Sequence, residues 1–232
     1  MKETILVVDD EKEIADLLEL YIGGEGYSVV KAYTGAEALE ILHRHPVSLA
    51  LLDVMLPDIN GFELCRRIRE EFVFPIIMLT ARSSDIDKIN GLTLGADDYV
   101  TKPFNPLEIT ARVKTQLRRF TQYNSGEQKK EEKCFYDRNG LVVDRETHTC
   151  TLYGKAIQLT PIEFDILCCL CSRAGRVVSS EELFEEVWKE AYFEGNNTVM
   201  AHIARLRQKL NEPPRKPKFI KTVWGVGYKI DP

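Results

Sequence analysis

Ile5-Leu6-Val7-Val8-Asp9-Asp10 is a short branched apolar run that stops on two carboxylates, and later runs repeat the design. Leu49-Ala50-Leu51-Leu52 stops on Asp53, Ile76-Ile77-Met78-Leu79 on Thr80, and Tyr99-Val100-Thr101 on Lys102. Runs of this length without polar alternation read as parallel strands buried on both faces. Helical patterns separate them. Ile14, Leu17, Leu18 and Tyr21 recur at helical spacing up to Gly23-Gly24, and Ser28 to Ala32 is a further strand. Gly35 to His45, Gly61 to Glu70 and Ser84 to Leu94 read as helices, and Pro106 opens the last, in the first turn where proline is well placed. Five strand–helix alternations predict a (βα)5 doubly wound α/β sheet. Sites in such sheets form at the carboxyl ends of the strands. Asp9, Asp10, Asp53, Thr80 and Lys102 should therefore meet at one edge. Clustered carboxylates repel one another until a hard divalent cation joins them, while an ammonium and a hydroxyl bind phosphoryl oxygens.

The chain has 232 residues, 44% of them hydrophobic, enough for one or two ordinary domains. No apolar stretch reaches the roughly 18 residues of a membrane span, and the start lacks the basic-then-apolar layout of a signal peptide, so a cytoplasmic protein without a membrane partner is expected. The six cysteines form no CxxC pair; Cys168, Cys169 and Cys171 lie in an apolar helical run and read as small buried thiols. The formal net charge of −5 conceals an acidic first half and a basic segment from Arg205 onward, which call for different partners.

The polar stretch 124–133 reads as a linker between a domain over 1–123 and another over 134–232. In the second domain, strand-like pieces (Leu141 to Val143, Cys150 to Tyr153, Ala156 to Leu159) precede three helical segments. Thr160, Pro161 and Glu163 make an N-cap, a first helical position and a capping box, and Ser179 or Ser180 caps the second helix. The third runs from about Asn197 to Leu210, and two strands, Phe219 to Val223 and Tyr228 to Ile230, close the chain. Three helices and a terminal hairpin outline a winged helix-turn-helix. On the third helix Val199, Ile203, Leu206 and Leu210 form a core stripe, while Thr198, His202, Arg205 and Lys209, at steps of four, three and four, form a basic face suited to a major groove.

Asp9-Asp10, Asp53 with Met55-Leu56-Pro57, Thr80-Ala81, Gly95-Ala96-Asp97-Asp98-Tyr99 and Lys102-Pro103-Phe104, followed by Thr198 to Leu210 and Gly225-Val226-Gly227-Tyr228, resemble the OmpR/PhoB family of response regulators over nearly the whole chain. The resemblance implies a phosphorylation-controlled transcription factor and not an enzyme. It implies that Asp53 accepts a phosphoryl group from a sensor histidine kinase. Mg²⁺ would be held by Asp9 (through water), Asp10, Asp53 and the Met55 carbonyl, with Lys102 on a phosphoryl oxygen. Thr80 and Tyr99 match the family's switch pair, and Lys102-Pro103 its cis peptide. Activation would form a homodimer through the helix over 84–94, the following strand and the helix from Pro106. Lys88 would pair with Glu108, Asp98 with Arg112 and Asp97 with Arg119, around Ile89, Leu92 and Ala111.

For double-stranded DNA the resemblance implies Thr198, His202 and Arg207 at phosphates or groove edges, Arg205 in base readout and Ala201 near thymine methyls. Lys209, Lys221, Thr222, Trp224 and Tyr228 would complete the surface, with Lys216, Lys218 and Lys229 flanking the wing. The sequence departs from the family at Trp224 and Asn197, where arginine is common. The loop Lys189 to Asn196, with Tyr192 and Phe193, matches a segment that touches RNA polymerase. Asn196-Asn197-Thr198 and Lys221 to Ile230 are similar to regulators of glycopeptide resistance, which implies cell-wall precursor genes as targets. A phosphohydrolase with an aspartyl-phosphate intermediate would share the nucleophile, metal and lysine, but such enzymes carry an acid/base Asp two positions after the nucleophile, where this chain has Met55. A regulator that binds DNA through a constitutively dimeric first domain, without phosphorylation, would not need the full acidic set.

Overall fold

The computed structural model describes residues 2–80, 95–125, 135–189, 198–213 and 216–232, which gather into two compact units, Met1–Thr121 and Gln122–Pro232. In the first unit, strands β1 (Thr4–Val8), β2 (Ser28–Ala32), β3 (Leu49–Asp53), β4 (Ile76–Thr80) and β5 (Asp98–Thr101) form one parallel sheet in the order β2-β1-β3-β4-β5. Every residue of β3 and β4 is buried, as the unbroken apolar runs require. Successive side chains of a strand point to opposite faces. Leu6, Val8, Ala50, Leu52, Ile76 and Met78 accordingly join one core, against helices α2 (Gly35–Arg44) and α3 (Gly61–Glu71). Ile5, Val7, Leu49, Leu51, Ile77 and Leu79 join a second, against α1 (Lys12–Gly24) and α4 (Pro106–Ser125). The helix expected over 84–94 lies outside the described residues.

One expectation shifts within α1. Its fully buried residues are Ala15, Leu18 and Ile22, while Leu17 and Tyr21 are partly exposed. The small Ala15 faces the sheet, and a stripe counted from the bulkiest residues missed it.

In register, β3 and β4 pair Asp53 with Leu79, and β4 and β5 pair Thr80 with Thr101, so the strand ends line up. The chain then turns back sharply after β3. Gly61 donates its N–H to the Val54 carbonyl at 2.9 Å, and a Cβ there would lie 2.0 Å from the Asp53 carbonyl oxygen. Only glycine lets α3 start so near that strand end. Asp58 fixes the same loop by accepting the Gly35 and Ala36 N–H groups at 2.9 Å each, which hold its carboxyl below the usual range.

The second unit opens with an antiparallel sheet of β6 (Phe135–Arg138), β7 (Leu141–Asp144), β8 (Thr149–Leu152) and β9 (Lys155–Ala156). The short, polar β6 buries only Tyr136, and no pattern in its sequence announced it. The strand expected over Ala156 to Leu159 contracts to β9, because the chain from Ile157 leads into the N-cap of α5 (Pro161–Ser172). That cap is the expected box: Thr160 Oγ1 accepts the Glu163 N–H and Glu163 accepts the Thr160 N–H. Ser179 and Glu182 form a second box at α6 (Ser180–Trp188). Helix α7 (Thr198–Lys209) buries Val199, Ile203 and Leu206 as expected, and Leu210 just beyond it. The hairpin of β10 (Ile220–Val223) and β11 (Gly227–Ile230) bridges to Val178, where a Cβ on Gly227 would meet the Val178 carbonyl oxygen at 2.1 Å. Helix α4 continues through Asn124 and Ser125, where the linker was expected to begin. Among the described residues no helix is long and apolar enough to cross a membrane.

Glu163 does more than cap α5. Its carboxylate is fully buried and forms ion pairs with Lys209 at 2.6 Å and Arg205 at 3.7 Å, tying α7 to the start of α5. Burial opposes its ionisation, but Arg205 and Lys209 prevail and hold it below the ordinary value of 4.5. A lowered folded-state pKa stabilises the fold above pH 4.5, and that contribution is lost as pH falls through the lower folded value. Gln keeps the capping geometry and removes the charge. Glu163→Gln is therefore expected to cost about 3 kcal/mol at neutral pH, with the gap from wild type closing below pH 4.5. The chain's two tryptophans, Trp188 and Trp224, both lie in the second unit, so urea unfolding followed by indole emission reads that unit alone.

Candidate functional site

Asp9, Asp10 and Asp53 bring carboxylate oxygens within 4.8 Å of one another at the carboxyl edge of β1 and β3, with Asp9 and Asp53 buried and Asp10 exposed. Lys102, just past β5, reaches into the group. Its Nζ lies 2.8 Å from Asp9 Oδ2, 3.2 Å from Asp53 Oδ2 and 3.6 Å from Glu11 Oε1. Burial pushes the carboxyls of Asp9 and Asp53 upward, partly countered by the Lys102 charge and hydrogen bonds. Burial works against the ammonium too, yet its hydrogen bond to Asp9 and the charges of Asp53 and Asp9 raise Lys102 overall. Met55 follows in the same loop, its side chain exposed. Thr80 is buried at the end of β4, and its carbonyl accepts the Lys102 N–H at 2.6 Å. Lys102-Pro103 is cis. Tyr99, on β5, is half-buried against the core between the sheet and α2 and α3.

The donors fit a hard divalent cation. All are oxygens, two are buried carboxylates destabilised by desolvation, and among the described residues the ammonium facing the set is that of Lys102; a cation of higher charge relieves what remains.

The residues expected at a contact between copies divide. Arg112 Nη1 pairs with Asp98 Oδ2 at 2.9 Å and Arg112 Nη2 with Glu108 Oε1 at 3.0 Å, forming a charged strip between β5 and α4 with Ala111 exposed beside it. Asp97 is corrected: it is fully buried, pairs with Arg69 and accepts the Ile76 N–H at 2.9 Å, so it serves the fold and is no surface charge. Arg69 also donates to the carbonyls of Gly95 and Phe74, knotting the end of α3 to the approach of β5. Lys88, Ile89, Leu92 and the Arg119 side chain lie outside the described residues.

In the second unit the expected DNA face of α7 is also corrected. Ala201, His202 and Arg205 are buried. His202 meets the Trp188 ring edge-on at 5.3 Å, and Arg205 lies against His202 and Glu163. Lys209 is committed to Glu163 and Tyr228 is buried beneath Arg207, whose guanidinium is 6.0 Å from its ring. The buried Glu163 needs cations, and it draws Arg205 and Lys209 inward. The exposed face of α7 is instead Met200, Ala204 and Gln208, with Thr198 and Arg207 half-exposed. Arg207 donates to the Ile220 carbonyl at 2.7 Å and Thr222 Oγ1 at 2.8 Å, joining α7 to the wing. Lys221 and Lys229 pair with Asp231, and Trp224 projects at the wing tip. Tyr192, Phe193 and Asn197 lie outside the described residues. Glu163 and Arg69 were missed as organising residues; the capping box was the one sequence signal at Glu163, and it gave no hint of the two cations.

Residues 5–114 match the response regulator receiver domain, and residues 154–230 match the C-terminal domain of transcriptional regulatory proteins. Across 100% of both chains the protein is 59% identical to the regulatory protein VanRc of Enterococcus gallinarum and 52% identical to the regulatory protein VanR of Enterococcus faecium. Among solved structures it is similar to the response regulator DrrB of Thermotoga maritima, an OmpR/PhoB homologue, at 38% identity over 100% of both chains with a TM-score of 0.52.

Proposed function

The chain belongs to the OmpR/PhoB family of two-component response regulators, transcription factors and not enzymes, and on that premise we propose that Asp53 is its phosphoryl acceptor and that phosphorylation drives dimerisation and DNA binding. The observation that carries the reading is Lys102, whose ammonium lies between Asp9 and Asp53 where it can hold an oxygen of a group bound to Asp53.

A receiver domain implies a histidine kinase as partner. An Asp53 carboxylate oxygen attacks phosphorus, the P–N bond to the donor histidine breaks, and the imidazole leaves with the electron pair. The product is an acyl phosphate. Alignment and charge neutralisation carry most of such a transfer. Mg²⁺ held by Asp9, Asp10, Asp53 and the Met55 carbonyl would screen the phosphoryl charge during approach. The new group adds roughly −1.5 to −2 charge units. Its oxygens attract the Thr80 hydroxyl, and the vacated volume admits Tyr99, which already borders the core.

The dimer surface we assign includes Asp98, Glu108, Ala111 and Arg112, extended by Lys88, Ile89, Leu92 and Arg119. Its alternating signs make it self-complementary, as an isologous contact requires. The DNA surface is Thr198, Met200, Ala204, Arg207 and Gln208 of α7 with Thr222 and Trp224 of the wing. A linker between the two units lets paired DNA-binding domains sit on successive half-sites. The loop 189–196 is the expected contact with RNA polymerase. The full-length likeness to VanRc and VanR supports glycopeptide-resistance genes as the targets.

Incubation with Mg²⁺ and acetyl phosphate is expected to add one phosphoryl group to the intact mass of the wild type and none to Asp53→Ala. An adduct on both, or on neither even with a cognate kinase, contradicts the assignment.

The dimer contact has its own test. Arg112→Asp and Asp98→Arg are each expected to stay monomeric after phosphorylation, because each places like charges across the two-fold axis. Mixed in equal amounts they are expected to dimerise, since each opposite-charge pair is then rebuilt between copies. Sedimentation showing no heterodimer, or dimers of either variant alone, overturns the contact.

A further inference from the structure

The loop from Asp53 to Gly61 is pinned along its length. Its ends are fixed through the backbone: Val54 donates its N–H to the Leu79 carbonyl at 3.0 Å and Gly61 to the Val54 carbonyl at 2.9 Å, while Met55 and Asn60 face each other in an antiparallel bridge. Leu56 and Ile59 pack against the core between the sheet and α2 and α3. Between those two apolar anchors, Asp58 reaches across to another helix. Its Oδ1 accepts the Gly35 N–H and its Oδ2 the Ala36 N–H, each at 2.9 Å.

A helix begins with N–H groups that no carbonyl of its own can accept. In α2 the N–H groups of Gly35 and Ala36 go to Asp58, and that of Glu37 goes to the N-cap Thr34, whose Oγ1 accepts it at 3.1 Å. The two caps differ in reach. Thr34 belongs to the same turn, whereas Asp58 lies 23 residues beyond Gly35 in the chain, on the loop that follows the candidate phosphoryl acceptor. The approach of that loop is close. A Cβ on Gly35 would lie 2.1 Å from Ile59 Cγ2, so glycine at the helix start is what admits the loop.

We propose that Asp58 is a positioning residue for the cation site: by fastening the loop to α2 it sets where the Met55 carbonyl stands relative to Asp9, Asp10 and Asp53. This rests on the Mg²⁺ site in the function proposed above and assigns a residue to its support. Carboxylate ligands are re-aimed by their own side-chain torsions, but a carbonyl ligand moves only with the backbone that bears it. The exposed side chain of Met55 adds little hold on that backbone. Its carbonyl therefore depends on the bridge to Asn60 and on the Asp58 tether just beyond it. Groups that touch no metal but hold its ligands in place govern metal affinity in this way.

The test is a calorimetric titration of the full, unphosphorylated chain with Mg²⁺ at low and at high salt. Asp58→Ala is expected to bind Mg²⁺ roughly tenfold more weakly than the wild type, and Asp58→Asn, which keeps one acceptor oxygen, to fall between the two at either salt. Thr34→Ala removes the other side-chain cap of α2, leaves the Asp58 contacts in place, and is expected to bind as the wild type does. Equal affinity in Asp58→Ala and wild type would overturn the proposal. So would equal losses in Asp58→Ala and Thr34→Ala, which would trace the effect to the stability of α2. Equal losses in Asp58→Ala and Asp58→Asn that vanish at high salt would trace it to charge alone, and overturn it also. The titration needs no phosphoryl donor, so a wild type that binds Mg²⁺ yet gains no phosphoryl group overturns the acceptor assignment alone. A wild type that binds no Mg²⁺ overturns the cation site and this proposal with it.

Discussion

Two buried carboxylates, Asp9 and Asp53, and the Lys102 ammonium between them set the terms for the first unit of this protein. A parallel sheet ends its strands along one edge, and the apolar runs that bury those strands also bury whatever polar residue terminates them. Desolvation raises both carboxyls, and Lys102 is the counter-charge that makes their ionised forms tolerable. Such a set carries more negative than positive charge, which a dication would offset. Under the proposed function, metal affinity and phosphoryl acceptance would arise from the same imbalance. Gly61 and Asp58 hold the loop after Asp53 in place without taking part in the chemistry.

The second unit solves a similar problem in the opposite sense. Glu163 is buried with its charge satisfied by Arg205, Lys209 and the Thr160 N–H, so it locks α7 instead of binding a ligand. Two of the most basic residues of α7 are spent on this. What remains exposed there is largely uncharged, and the wing tip is an indole. The DNA surface proposed for α7 is therefore less cationic than the sequence of that helix suggests.

The strand-end residues were legible because strand termini follow directly from where an apolar run stops, and the parallel register then brings Asp9, Asp53, Thr80 and Lys102 to one edge. Capping boxes at Thr160 and Ser179 were legible for the same reason: their partners are three residues away. The failures share a different cause. Arg205, His202 and Asp97 are polar by type and were assigned to surfaces, but their environments are set by Glu163, Trp188 and Arg69, which are distant in sequence. Periodicity locates a helix face; it cannot reveal that a buried acid on another helix will claim the charges beside that face. Strand β6 was invisible because it buries one residue and alternates weakly.

The central claim is that the state of Asp53 controls a surface in the other unit. Affinity for a selected duplex, measured with and without acetyl phosphate in Mg²⁺ for wild type and Asp53→Ala, tests it most directly. The account predicts that phosphodonor tightens binding by about tenfold or more in the wild type and leaves Asp53→Ala unchanged. Equal affinities for the two proteins under both conditions would contradict it and make the first unit a passive partner of the second.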